Sequence, residues 1–285
     1  MHTTVIPLIV AAAIIIAGNV APQTGASRIA LAIVSDARDR TIVDVGADDF
    51  LIQESGQARE VLSVRVADYP VVVLLDDGDE ASADFALMRK AVERFVERLG
   101  PRPIAIGTLG DPAKMLTALD DDRDKAIDAL KSIEVSATAK SMMLGGAARG
   151  GEAIHATESL FSALVVLSAT PNDASRGEVD ELIAPIVDSR AVLHVIANRS
   201  AQRAAPATPP RGDRDLRSIA EQTRGEYTII YSPASYQAAL DRLADRLTSE
   251  MMVEYLVPPG SKPVDVKLGV RLPGARVRGL GVAPR

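Results

Sequence analysis

The chain has no cysteine and no tryptophan, and only three histidines, His2, His155 and His194, in 285 residues. Without cysteine there can be no disulfide, no zinc–thiolate centre and no thiol nucleophile. Three scattered histidines argue against a multi-histidine metal centre, and no basic run occurs. A formal net charge of −6 is the wrong sign for a nucleic-acid surface. Gly145-Gly146 and Gly150-Gly151 lack the Gly-Lys-Ser/Thr ending of a phosphate loop, and no Gly-x-Gly-x-x-Gly follows a strand. Ser162 and Ser168 lack a Gly-x-Ser-x-Gly elbow, so no hydrolase constellation is in view. What the chain does have is 47% hydrophobic and 25% charged residues, enough for one large domain or one with a small companion.

Val5 to Ala17 is almost wholly apolar, long enough for the hydrophobic region of a signal peptide and short for a membrane span. Residues 1–26 are therefore expected to be an export signal cut before Ser27, giving a periplasmic or secreted protein. The segment before Val5 contains no Lys or Arg, so an uncleaved membrane anchor is the alternative, and membrane contact is expected only in that case.

From residue 27 to 68 the period is two. Ile29, Leu31 and Ile33, then Thr41-Ile42-Val43, Phe50-Leu51-Ile52 and Val61-Leu62-Ser63-Val64 are short strands between turn formers. Val71 to Leu75 follows Pro70 as a buried parallel strand and runs into Asp76-Asp77-Gly78-Asp79-Glu80. Ser82 is the expected N-cap of a helix carrying Phe85, Met88, Ala91, Val92 and Phe95 inward. Strand patterns recur at Ile104 to Leu109, Leu160 to Leu167, Val192 to Ile196 and Tyr227 to Tyr231. Lys114 to Leu116 is a short antiparallel edge. Helix patterns fall at Asp121 to Ile133, Gly150 to Ser159, Glu178 to Val187, Leu216 to Thr223 and Ser235 to Glu250. Strands alternating with helices imply an α/β fold with a doubly wound, mostly parallel sheet over residues 69–250. In such sheets ligands bind beyond the carboxyl ends of the strands, where the acidic cluster lies.

These residues carry a resemblance. The order of elements, with one antiparallel edge strand, resembles a von Willebrand factor type A domain. Val45 to Gly56, with Asp49-Phe50 before Glu54-Ser55-Gly56, is similar to the segment preceding that domain in a bacterial family of secreted A-domain-related proteins. Leu116-Thr117 through Leu130 is similar too, as is the closing segment Tyr255 to Gly279 with Lys267, Val270, Pro273-Gly274 and Val277-Arg278. The likeness spans roughly residues 28 to 280.

The resemblance implies a metal-ion-dependent adhesion site of the form Asp-x-Ser-x-Ser, with a Thr and an Asp from two later loops, holding Mg²⁺ or Mn²⁺ by oxygen ligands. Carried onto this chain, Asp76 fits the first position, while Gly78 and Glu80 stand where the serines belong. The loop Gly145-Gly146-Ala147-Ala148 puts Ala147 at the threonine, and Ala169, before Thr170, takes the aspartate position. The expectation is a mostly lost metal site with no cofactor, or Mg²⁺ or Mn²⁺ held weakly by Asp76 and Glu80. The acidic run reads otherwise as a solvated loop favouring the next helix N-terminus.

The resulting expectation is a non-enzymatic binding or assembly module. It would meet a protein partner through Asp76, Asp77, Gly78, Asp79, Glu80, Gly146, Ala147, Ala169 and Thr170. Alternatives are metal-dependent adhesion at Asp76 to Glu80 and, from another class, a haloacid-dehalogenase-like phosphatase using Asp77 and Asp79. Arg211-Gly212-Asp213 reads as a polar turn before a helix, and His194 as a core residue with one hydrogen bond. The segment 251–285 is basic, with Lys262, Lys267, Arg271, Arg276, Arg278 and Arg285. Its strands at Val264 to Val270 and Arg276 to Val282 are expected to pair with residues 27–68 as one β module.

Overall fold

A computed structural model describes residues 25–200, 210–262 and 264–284, so the apolar segment Val5 to Ala17 and its reading as a signal lie outside the described residues. The chain enters through β1 (Ala26–Ser35), β2 (Phe50–Glu54), β3 (Gln57–Arg59) and β4 (Val61–Val66). In β1 both sets of alternating side chains are buried, Ile29 and Leu31 on one face, Ala30, Ala32 and Val34 on the other. Thr41-Ile42-Val43 is no strand. It contributes a single bridge, Ser35 to Thr41, beyond the turn fixed by the Asp36 carboxylate accepting from the Arg38 and Arg40 N–H groups.

The central sheet follows. Its parallel strands are β5 (Val71–Leu75), β6 (Ile104–Thr108), β8 (Ala163–Ser168), β9 (Val192–Asn198) and β10 (Tyr227–Ile230), and β7 (Lys114–Met115) is the antiparallel edge. The order is β10-β9-β8-β5-β6-β7. Every residue of β5 is fully buried because helices cover both faces, which explains its unbroken aliphatic run. Val71, Val73 and Leu75 face α1 (Phe85–Arg98), α2 (Arg123–Ser132) and α6 (Ser235–Thr248). Val72 and Leu74 face α3 (Met143–His155), α4 (Val179–Asp188) and α5 (Arg211–Gln222). The doubly wound α/β class is thus as the sequence pattern implies.

Three helix starts differ from that pattern, each for a local reason. A 3-10 turn at Asp79–Ala81 intervenes after β5, so α1 begins after Asp84 rather than Ser82. Helix α5 starts at Arg211, so Arg211-Gly212-Asp213 is its first turn and not a loop. Gly212 is buried there because an added Cβ would lie 2.5 Å from the Met143 methyl. Helix α3 starts at Met143 instead of Gly150 and absorbs Gly145-Gly146-Ala147-Ala148. Its glycines are sites of close approach. A Cβ on Gly146 would stand 2.4 Å from Leu109, on Gly150 2.7 Å from Leu164, and on Gly151 2.5 Å from the Pro185 carbonyl of α4. Tertiary packing here outweighs the poor helix propensity of glycine.

After α6 the chain returns to the first strands through β11 (Met251–Val257), β12 (Val266–Val270) and β13 (Arg276–Pro284). β11 and β13 flank β1 in an antiparallel sheet ordered β13-β1-β11-β4, and β12 joins β2 and β3 in a second sheet. Phe50, Ile52, Val253 and Tyr255 are buried between the two, while Ile29, Leu31 and Met252 belong to the core shared with α6. Residues distant in sequence therefore complete each other's sheets. Within this core Arg28 is ion-paired with Glu54, both almost fully buried.

Candidate functional site

Crossovers leave β5 in one direction, to α1 and β6, and reach β8 from the other side, so the loops part at the carboxyl ends of β5 and β8. Open α/β sheets bind ligands at such a switch point. Asp76 ends β5 and Ala169 ends β8. The Asp76 side chain is not solvated; it is 1% exposed, which corrects the expectation of an open acidic loop. Its Oδ1 accepts the Gly78 N–H at 3.2 Å and its Oδ2 the Ala169 N–H at 2.9 Å, tying the two loops across the switch point. Burial raises its pKa above the ordinary carboxylate value, against the opposing pull of those N–H groups and the Ser141 hydroxyl.

The other acidic residues turn to different neighbours. Asp77 Oδ1 accepts the Gly110 N–H at 2.5 Å, Asp79 Oδ2 meets Lys140 Nζ at 2.5 Å, and Glu80 Oε1 accepts from Asn172 Nδ2 at 3.4 Å. The hydrogen bond from Lys140 holds Asp79 below the usual carboxylate range. Asp77 and Asp79 thus do not converge on one reacting position, as a phosphatase pair would require.

Of the remaining expected site residues, Gly146 and Ala147 are buried inside α3, with Ala147 fully enclosed, and so do not line the loop surface. Ser141, just before α3, is a polar residue of the loop that is pressed against Gly78. It is 4% exposed, its hydroxyl is buried without a hydrogen-bond partner among the described residues, and its backbone forms a bridge with Gly110. The register expected from the sequence places Ala147 at the threonine position, whereas Gly145 to Ala148 lie inside α3 and not in a loop. Thr170 is buried, with Oγ1 accepting the Asn172 N–H at 3.1 Å. Asp173, not singled out from sequence, accepts from the Leu144 N–H at 3.4 Å, and Ser175 Oγ accepts the Gly145 N–H at 2.8 Å, satisfying free donors at the start of α3.

Behind these loops lies a second polar group that no local pattern announced. Arg199, 3% exposed, is ion-paired with Asp213 and lies 3.4 Å from Ser168 Oγ; the Tyr227 hydroxyl donates to Asp213 at 2.6 Å. Burial and that hydrogen bond hold the Tyr227 phenol above its ordinary pKa. Asn198 Nδ2 donates to Asp84 at 2.8 Å, and the Tyr236 hydroxyl donates to the Ser168 carbonyl at 3.3 Å. The ends of β8, β9 and β10 are thereby joined by side chains.

Set against the divalent ion that the resemblance implies, the site is short of side-chain oxygens. Gly78 and Ala169 supply no side-chain oxygen, and both Asp76 oxygens already accept backbone N–H groups. The loop 136–141 is pressed onto Gly78 so closely that a Cβ there would lie 3.1 Å from the Ala139 carbonyl and 3.3 Å from the Ser141 nitrogen. Among the described residues no three His, Cys, Asp or Glu side chains converge as metal ligands. An octahedral ion takes six oxygen ligands, and Asp76, the one residue here that matches the family pattern, has both of its oxygens engaged.

Fold and site together define an open α/β protein whose loop face lies at a switch point, carried beside an antiparallel β module. This is the von Willebrand factor type A fold. Three solved structures share it: a von Willebrand factor type A protein from Catenulispora acidiphila (12% identity, 92% of this chain and 74% of that one, TM-score 0.53); the von Willebrand domain of the type V pilus tip protein Mfa5 from Porphyromonas gingivalis (9%, 64% and 96%, 0.51); and proximal thread matrix protein 1 of the mussel byssus (11%, 64% and 48%, 0.50). The chain spans about half the length of the byssus protein. No family model matches the sequence, and no curated protein matches it significantly. Among the described residues no helix is long and apolar enough to cross a membrane.

Proposed function

We propose that the chain is an exported, non-enzymatic protein-binding module that meets its partner with the loop face at the carboxyl ends of β5, β6 and β8, without a bridging metal ion. The contact surface comprises Asp77, Asp79 and Glu80, with Lys140 and the segment Ala169 to Asp173; Asp76, Gly78 and Ser141 act beneath it as the frame. The observation that carries this reading is the Asp76 carboxylate, whose two oxygens bind the Gly78 and Ala169 N–H groups and so do within the chain what an ion would do between loops. The apolar segment Val5 to Ala17 supports export. A pilus tip protein and a thread matrix protein of similar fold fit an assembly role in kind.

The test is a calorimetric titration of Mg²⁺ and Mn²⁺ into chelator-treated protein, repeated with Asp76→Ala. No tight binding is expected for either form. The variant leaves two buried N–H groups without an acceptor and should lose about 2–4 kcal/mol of stability. Stoichiometric micromolar binding that disappears in Asp76→Ala would overturn the proposal and restore metal-dependent adhesion.

A further inference from the structure

The described residues include six non-glycine positions in the left-handed region, and three of them, Arg190, Arg224 and Asp265, line one cleft. That cleft, about 510 Å³, lies where the β module meets the amino-terminal ends of β8 and β9, opposite the loop face. Arg190 (φ 56°) and Arg224 (φ 61°) occupy the first position past the C-caps Ser189 and Thr223 of α4 and α5. Glycine is the usual residue there, because a side chain crowds the backbone at positive φ. Strained residues persist where the surroundings over-determine them, and they gather at ligand clamps. Both residues line the same opening, where the Leu280 carbonyl holds the Arg224 guanidinium.

The rest of the cleft is consistent with that reading. Leu31, Phe161, Val192, Leu268 and Val282 supply the apolar part of its walls, and Gln222 and Thr223 join the arginines on the polar part. β13 shifts register between Leu31 and Ala32 of its partner, leaving Leu280 as the extra residue, and Gly279 and Gly281 on either side of it leave backbone without side chains on that wall. Arg224 Nη1 donates to the Leu280 carbonyl at 3.0 Å, which fixes the bulge. Among the described residues neither Arg190 nor Arg224 has a carboxylate partner. The one acid lining the cleft, Asp265, is paired with Lys267 at 3.4 Å. Clefts between packed units, apolar with a few converging polar groups, are where small molecules bind.

We propose that this cleft binds a small organic anion with an apolar body, of the medium-chain acyl carboxylate class, with its carboxylate between Arg190 and Arg224. The site is independent of the loop face, so its failure would leave the reading of that face untouched. The experiment is calorimetry of the full chain with sodium octanoate and, separately, octan-1-ol, on the wild type, Arg190→Gly and Arg224→Gly, with thermal unfolding of each. Octanoate should bind one-to-one and octan-1-ol at least tenfold more weakly. Arg190→Gly relieves the left-handed backbone, so it should unfold no earlier than the wild type while binding octanoate at least tenfold more weakly. Arg224→Gly should lose binding too, and because Arg224 also anchors Leu280, Arg190→Gly is the deciding variant. No octanoate binding at millimolar concentration, equal binding of octan-1-ol, or undiminished binding by Arg190→Gly would each overturn the assignment.

Discussion

His194 should make the protein acid-sensitive between pH 7 and pH 4, and replacing it with leucine should remove that sensitivity. The side chain sits in the middle of β9, 2% exposed, on the face turned towards α6, and neither ring nitrogen has a hydrogen-bond partner among the described residues. A buried histidine is expected to find one hydrogen bond; among the described residues this one finds none. Burial, with the nearby positive charge of Arg246, pushes its pKa down to about 3. The unfolded chain binds this proton near pH 6.5 and the folded chain does not, so stability is present above that pH and is lost as pH falls towards the folded value. At pH 5 the loss from this one residue is about 2 kcal/mol and at pH 4 about 3 kcal/mol, both relative to pH 7. Asp76 and Glu250 have raised pKa values and act in the opposite sense, losing stability as pH rises. The measurement is therefore a difference: urea unfolding of the wild type and His194→Leu followed by circular dichroism at pH 7, 6, 5 and 4. Leucine is close in volume and removes two unpaired buried nitrogens, so the variant should be at least as stable at pH 7. Its advantage should widen by about 2 kcal/mol on going to pH 5. A difference that stays flat over that range would refute the argument, because it would mean that His194 is protonated, or reached by water, in the folded state.

Further predictions concern packing. Gly151→Ala should destabilise by about 1–3 kcal/mol despite alanine's higher helix propensity, because its Cβ meets the rigid Pro185 carbonyl. Gly145→Ala has 3.4 Å of clearance to Ser175 Oγ and should be neutral or gain up to about 1 kcal/mol; urea midpoints of the pair decide whether α3 is as closely packed as described. Deleting residues 258–285 removes β12 and β13, the partners of β2 and β1, and should expose residues 28–68 to proteolysis while the central sheet persists. Unchanged protection of residues 28–68 would mean that the first strands are held by other contacts.

Much of the fold was legible because its signals are local. The aliphatic run Val71 to Leu75, the spacing of Phe85, Met88, Val92 and Phe95, and the turn before Lys114-Met115 each follow from a residue's immediate neighbours. The site was legible in part. Asp76 and Ala169 lie at strand ends, and strand ends can be read from hydrophobic pattern. Ser141 was missed because it precedes a helix rich in glycine, and a glycine pair in sequence looks like a loop unless the opposing Leu109, Leu164 and Pro185 are known to require the absence of a Cβ. Asp76 looked solvated because its neighbours in the chain are acidic, whereas its neighbours in space are the Gly78 and Ala169 N–H groups.

By itself, the sequence determined the alternation of strands and helices, the lack of side-chain oxygens at Gly78 and Ala169, and the absence of any thiol. Those are properties of composition and of periods two and 3.6. Only the tertiary structure decided that Asp76 is buried and satisfied by two loops, that Arg199 pairs with Asp213, that His194 has no partner among the described residues, and that Arg190 and Arg224 line one cleft. Each of these depends on which distant parts of the chain are packed together, and no local pattern records that packing.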